Sequence, residues 1–115
     1  MTGYRFGDVV LVPFPFTDQT ETKKRPAAVV SSAAYHRERN DVILVAVTSQ
    51  VRGDLGIGEA PVTGWKEAGL INPSILKPIL FTLERSLVVK RLGKLSSLDR
   101  KALQESLLTI LEIGR

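Results

Sequence analysis

The segment Phe6–Ser31, FGDVVLVPFPFTDQTETKKRPAAVVS, restricts the possible folds more than any other part of the chain. Two apolar runs, Val9–Phe16 and Ala27–Val30, flank a polar stretch that ends in three consecutive cations, Lys23, Lys24 and Arg25. Gly7-Asp8 is a turn signal, and the β-branched residues behind it favour an extended strand. Pro13 and Pro15 lack the amide hydrogen that a sheet ladder requires. The second half of this first strand, Val9–Phe16, is therefore expected at an edge or lifted off the sheet. The ring of Pro26 clashes with a helical residue before it and so keeps Arg25 extended. Arg25 is expected where a polar loop feeds the second strand, a place from which a cation can be held over a binding surface. A structural hairpin needs turn residues but no cationic cluster at its exit. The cluster points to an anionic ligand, with a solvated basic loop as the competing explanation.

Further along, Ala27–Ser32 reads as the second strand and Asp41–Ser49 as the third, the latter carrying Val42, Ile43, Val45 and Val47. Val51–Gly64 contains four glycines, breaks both periodicities, and reads as a long flexible loop with a short strand at Ala60–Thr63. Trp65–Leu70 fits one helical turn ended by Gly69. Ser74–Leu83 is a fourth main strand interrupted by Pro78, whereas Ser86–Leu95 fits strand or helix and leans towards strand. Ser96 followed by Asp99 resembles a capping box with Asp in place of Glu. Leu98, Leu103, Leu107, Ile110 and Leu111 then recur at helical spacing, a stripe expected to dock on the sheet. Short, nearly continuous apolar strands closed by one C-terminal helix predict a mainly β chain, a small bent sheet or barrel.

The 115 residues are expected to form a single domain, 1–115, large enough to build its own core. The chain has no cysteine, which leaves no disulfide or thiolate chemistry and fits a reducing compartment. Its single histidine, His36, rules out a multi-histidine metal site. No apolar stretch precedes Arg5 and Asp8, so no signal peptide is expected. The longest apolar run is too short to span a bilayer. Sixteen basic against 12 acidic residues give a net charge of +4, compatible with nucleic acid or an acidic partner. Basic residues recur as Lys23-Lys24-Arg25, Arg37/Arg39, Lys90-Arg91 and Arg100-Lys101.

Chemistry at a phosphodiester needs charge stabilisation and proton transfer. Arg25 can supply the first, because its guanidinium matches phosphate oxygens bidentately and stays charged at any working pH. Thr48 closes the third strand in VAVTSQ, where a hydroxyl would stand at the rim of the sheet, either as a site group or as a structural strand end. Ser49 and Gln50 beside it offer the neutral donors and acceptors that read base edges. His36 is a residue type suited to general-base work but lies in AYHRERND, which reads as an exposed connection. Carboxylates form no convincing pair: Asp8 reads as a turn residue and Asp41 precedes a strand. Gly56-Ile57-Gly58 lacks the spacing and the lysine of a phosphate-binding loop. Phe14 and Phe16 face the same side; Phe14 reads as core, and Phe16, next to the polar loop, could stack a base.

Taken together, GDVVLVPFPF, KKRPAAVV, VAVTSQ, the W-x-x-A-G-L of Trp65–Leu70 and the PSILKP of Pro73–Pro78 resemble the PemK/MazF-like family, the toxins of bacterial type II toxin–antitoxin modules. The resemblance runs in order from about Phe6 to Leu95. It implies an SH3-like barrel with a C-terminal helix, a homodimer in the bacterial cytoplasm, and metal- and cofactor-independent cleavage of single-stranded RNA. In that family an Arg before Pro at the second strand and a Thr closing the third are the conserved catalytic pair, which fall on Arg25 and Thr48. The cut uses the ribose 2′-hydroxyl as nucleophile and leaves a 2′,3′-cyclic phosphate and a 5′-hydroxyl end. Phe16, Lys23, Lys24, Ser49, Gln50 and Lys77 would contact RNA, and an acidic antitoxin would cover the same groove by folding a tail onto it.

One departure stands out. Some members carry an acidic base near the fourth strand, where this chain reads LKPILF with no carboxylate before Glu84. The general base is thus unassigned from the sequence. Two other readings compete with the nuclease. One is a non-catalytic barrel that poisons a protein target, as CcdB relatives do, but such a surface has no need of Arg25 and Thr48 together. The other is a general RNA-binding module, which the long Gly-rich loop and WKEAGL do not fit.

Overall fold

In the computed structural model, which describes residues 3–14, 23–49 and 53–113, six strands form one antiparallel sheet. They are β1 (Asp8–Phe14), β2 (Lys23–Val29), β3 (Asp41–Thr48), β4 (Ala60–Val62), β5 (Ser74–Glu84) and β6 (Lys90–Lys94). Their order is β4-β5-β3-β2-β1-β6. Helix α1 (Ala33–Glu38) joins β2 to β3, and helix α2 (Ser97–Ile110) follows β6. Among the described residues no helix is long and apolar enough to cross a membrane.

The near-continuous apolar runs are explained by burial of both sheet faces. Val9, Ala28, Val45, Val47 and Leu76 join one core cluster, on which Leu103 of α2 packs. Val10, Val12, Ala27, Val29, Val42 and Leu44 form a second cluster, with Tyr4, Phe81, Leu83 and Val88 packed against it. The alternation of the strands thus feeds two cores rather than a core and a solvated face.

Pro13 behaves as its chemistry requires. It faces Lys24 of β2, while the β6 side of β1 is paired only from Asp8 to Leu11. The second strand starts earlier than expected, however. Lys23, Lys24 and Arg25 belong to β2 and pair with Phe14, Pro13 and Val12, so the cations sit within a strand rather than at a loop exit. The 86–95 segment divides into a 3-10 turn at Arg85–Leu87 and strand β6.

Residues 64–70 form a tight turn rather than a regular helix. The Gly69 and Leu70 amides donate to the Lys66 and Trp65 carbonyls, at 3.1 and 2.9 Å, and Gly69 has φ +82°. This is the hydrogen-bond pattern of a glycine-terminated helix end.

AYHRERND is a second correction: most of it is α1, and His36 is buried. Its ring lies 2.6 Å from the Ser31 hydroxyl and 2.8 Å from the Tyr4 carbonyl oxygen, a structural bridge between α1 and the N-terminal segment. Within the α2 stripe, Leu103 is buried, but Leu98 and Leu111 are exposed and do not dock.

Ser96 caps α2 by accepting from the Asp99 amide at 3.1 Å. The Asp99 carboxylate does not reach back to complete a capping box. It accepts instead from the Thr63 amide (3.1 Å), the Thr63 hydroxyl (2.7 Å) and the Gly64 amide (2.8 Å), fastening the loop after β4 to the helix. Burial alone would raise its pKa, but these bonds, from Gly64 and Thr63 above all, outweigh burial and hold the carboxyl below its ordinary 3.8. A depressed folded-state pKa means the stabilisation is present above the unfolded value and disappears as pH falls through the folded one. Asp99→Asn is expected to cost about 2–3 kcal/mol at neutral pH, because charge-assisted bonds to buried donors are lost. Urea melts from pH 7 down to pH ~2 check this, and the gap between variant and wild type should narrow in acid.

Candidate functional site

One sheet face changes character along its length. On β1 the residues facing the second core are Val10 and Val12, followed by Phe14; on β2 they are Val29 and Ala27, preceded by Arg25. On β3, Val42 and Leu44 lead to Thr48, and on β5, Phe81 and Leu83 are preceded by Ile75, Lys77 and Ile79. The apolar face that builds the core therefore acquires polar side chains at one end of three adjacent strands, β2, β3 and β5, beside Phe14 of β1. There it lines a cavity of about 620 Å³ that contains Phe14, Arg25, Thr48 and Lys77.

The β2–β3 ladder pairs Ala27 with Ala46 and goes no further in that direction. Pro26 has no amide hydrogen to continue it. Extending the register by two residues puts Arg25 opposite Thr48 across the opened seam. On the other side of β3, Val45 faces Leu80 and Val47 faces Leu76, so a bulge sets Lys77, Pro78 and Ile79 against Ala46 alone. Such a bulge bends the strand and re-aims its side chains. Lys77 and Ile79 are thereby turned to the cavity. Phe14 packs edge-on against Phe81, ring centroids 5.4 Å apart, and closes the β1 side.

The Gly-rich segment supplies what the strands lack. Asp54 and Glu59 both line the cavity. Lys77 Nζ lies 2.8 Å from Glu59 Oε2, and the Gly56 amide donates to Glu59 Oε1 at 2.8 Å. The Lys77 ammonium first, and the Gly56 amide second, hold the Glu59 carboxyl below the usual carboxylate range, so it is ionised at neutral pH. The described part of this loop is also tied to α2, whose Ser106 hydroxyl donates to the Gly58 carbonyl at 2.6 Å. It is a built wall of the cavity, where the sequence suggested only a flexible connection. Glu59 and Asp54 are the functional candidates that the sequence did not reveal: no local motif marks either, and 18 residues separate Glu59 from its partner Lys77.

Arg25, Thr48 and Lys77 are thus brought to one cavity, with Arg25 exposed and Thr48 half-buried. Lys23 and Lys24 are exposed at the start of β2, and Ser49 is exposed just past β3; none of the three lines the cavity. Phe16 and Gln50 lie outside the described residues.

A family model described as the PemK-like, MazF-like toxin of type II toxin–antitoxin systems matches residues 5–111. The chain belongs to this family. Solved toxin structures share its fold across nearly their full length at low identity. An endoribonuclease in complex with its cognate antitoxin, from a mycobacterial species, is 17% identical with a TM-score of 0.79, covering 98% of this chain and 99% of that one. The Mycobacterium tuberculosis toxin MazF-mt6 is 19% identical with a TM-score of 0.75, covering 94% and 99%. MazF from Deinococcus radiodurans is 21% identical with a TM-score of 0.76, covering 98% and 100%. Comparison with curated protein sequences gives no match. The fold of this PemK/MazF-type toxin is therefore the one the sequence resemblance implied: a mainly β, curled sheet with a C-terminal helix.

Proposed function

We propose that this toxin is a metal-independent, sequence-selective endoribonuclease that cuts single-stranded RNA. The observation that carries the reading is the convergence of Arg25, Thr48 and Lys77 on one cavity, with two carboxylates in its wall. The names of similar structures add support: one is an endoribonuclease bound to its cognate antitoxin, and another is a MazE–MazF complex. By the same likeness the partner here is a cognate antitoxin, and the family resemblance of the sequence adds that it is acidic and that the toxin pairs with a second copy of itself. The whole chain acts as one toxin domain in the cytoplasm.

RNA brings its own nucleophile. The 2′-hydroxyl attacks the adjacent phosphorus and the 5′-oxygen of the next nucleotide leaves, taking a proton from solvent, so that the products are a 2′,3′-cyclic phosphate and a 5′-hydroxyl. Arg25 neutralises the charge that grows on the non-bridging oxygens through the two-pronged geometry of its guanidinium. Thr48, opposite Arg25, orients the phosphate or the attacking hydroxyl. Lys77 adds a second cation at a position fixed by Glu59. Because Glu59 is held by Lys77 and Gly56, Asp54 is the cavity carboxylate left to accept the 2′-hydroxyl proton. Phe16, Lys23, Lys24, Ser49 and Gln50 then hold the flanking nucleotides.

Purified protein incubated with a long single-stranded RNA in excess chelator is expected to give discrete fragments. Thr48→Val, which keeps the shape and removes only the hydroxyl, and Asp54→Asn should each slow the single-turnover rate by roughly 100-fold, with RNA affinity little changed. Uncut RNA from folded wild-type protein would overturn the nuclease reading, and a wild-type rate in either variant would remove that residue from the mechanism.

A further inference from the structure

A second and larger cleft, of about 1320 Å³, is lined by Arg5, Arg37, Arg85, Arg91, Lys94 and Arg100. It shares no lining residue with the cavity above. The register of β1 separates the two. Asp8 lines the cleft, whereas Val12, four residues on, is the partner of Arg25, a displacement of about 13 Å along the strand.

The charge in this cleft is poorly compensated. Among the lining residues Asp8 is the one carboxylate, and Arg91 binds it at 3.0 Å. Six cations against one anion exceed the net charge of +4 carried by the entire chain. The cavity of the proposed cut, by contrast, balances Arg25 and Lys77 against Asp54 and Glu59. Long-range attraction for a polyanion thus comes from the cleft rather than from the cavity.

The cleft also has a fixed floor and a free rim. Arg91 donates to Asp8 and to the Gly3 carbonyl (3.1 Å) and lies over the Tyr4 ring at 5.3 Å. Arg100 donates to the Leu95 carbonyl at 3.4 Å. The side chains of Arg5, Arg37, Arg85 and Lys94 make no hydrogen bond or ion pair with the described residues. Its aromatic residues are committed inward, Tyr4 to the second core and Phe6 to the first. A protein segment bound here would find few apolar anchors, which dominate protein–protein affinity. Guanidinium forks spread along an open channel suit a chain of phosphates.

We propose that this cleft binds the phosphodiester backbone of single-stranded RNA, as an electrostatic anchor away from the cutting cavity. The RNA identity of the ligand rests on the nuclease reading, so the test uses a probe that cannot be cut by 2′-hydroxyl attack. Binding of a long 2′-O-methyl RNA is measured against salt for wild type, for the combined variant Arg5→Ala/Arg37→Ala/Arg85→Ala/Lys94→Ala, and for the same positions with every arginine changed to lysine. The alanine variant is expected to bind about 10- to 100-fold more weakly, with the salt slope reduced by about 2 to 3. The lysine variant should keep the slope, since it keeps the charges. Single reversals at the exposed positions, Arg37→Glu and Lys94→Glu, give the same reading should the combined variant fold poorly; each should lower affinity severalfold. A minimal oligoribonucleotide spanning only the cut should be cleaved at the wild-type rate by all of these variants. Wild-type affinity and salt slope in the alanine and reversal variants would overturn the proposal. So would loss of poly-glutamate binding with RNA binding intact, which would assign the cleft to an acidic protein segment. Failure of the nuclease reading alone would appear differently, as uncut RNA with the binding difference preserved.

Discussion

Arg25→Ala is expected to lower the rate of RNA cleavage by ~100- to 1,000-fold, the usual loss when a preorganised charge is removed from a developing oxyanion. The fold should be unaffected. Arg25 is exposed, its neighbour Pro26 sets the local backbone, and β2 is anchored by Ala27, Ala28 and Val29, all fully buried. The loss should fall mainly on the single-turnover rate, because Lys77, Lys23 and Lys24 still attract phosphate. Arg25→Lys keeps the charge but not the two-pronged geometry, so it should recover only part of the activity. A rate within threefold of wild type for Arg25→Ala would remove this side chain from the chemistry, whatever its position in the cavity.

The largest expected effect on stability belongs to a residue remote from the cavity. Gly69→Ala should destabilise the protein by about 3 kcal/mol, from a left-handed backbone and an unavoidable overlap together. Gly69 has φ +82°, and a β-carbon there would run into the carbonyl of Leu92 in β6. The opposing surface cannot yield easily, because Gly93 itself sits against the Ala68 backbone. Turn 64–70 thus lies backbone to backbone on β6, with Ala68 and Leu70 buried beneath it. To accept the methyl group, the turn must lift and expose both. Thermal or urea melts check this; a Tm fall of roughly 10–15 °C is the expected size, and a fall under about 2 °C would show that the turn is not held in this way.

The parts of the fold that sequence made legible are those governed by local chemistry. β-branched runs located β1, β3 and β5, proline placed the half-open side of β1, Ser96 marked the start of α2, and Gly69 marked the end of a turn. Arg25 and Thr48 could be singled out because strand ends beside Pro26 and the Gly-rich loop are where a sheet presents side chains. What remained hidden depends on contacts distant in sequence. The register that extends β2 back to Lys23 comes from pairing with β1, not from the polar composition of the segment. His36 looked exposed because its neighbours are charged, yet Tyr4, 32 residues away, takes its ring inward. Glu59 places a carboxylate against Lys77 of β5, and only the bulge at Lys77 and the fold of the loop bring the two together. The scattered basic pairs in the sequence likewise gave no sign that Arg37, Arg91 and Arg100 line one cleft.

The most direct test of the central claim replaces a single ribose. A cleavable RNA is mapped in chelator, and the nucleotide on the 5′ side of the cut is then changed to its 2′-deoxy form, with every other position left as RNA. The account predicts that cutting at that bond stops while binding persists, and that the all-ribose substrate yields 2′,3′-cyclic phosphate and 5′-hydroxyl ends. Cleavage of the deoxy-substituted bond, or 5′-phosphate ends, would mean that water rather than the RNA's own hydroxyl attacks, and would contradict the roles given to Arg25 and Thr48.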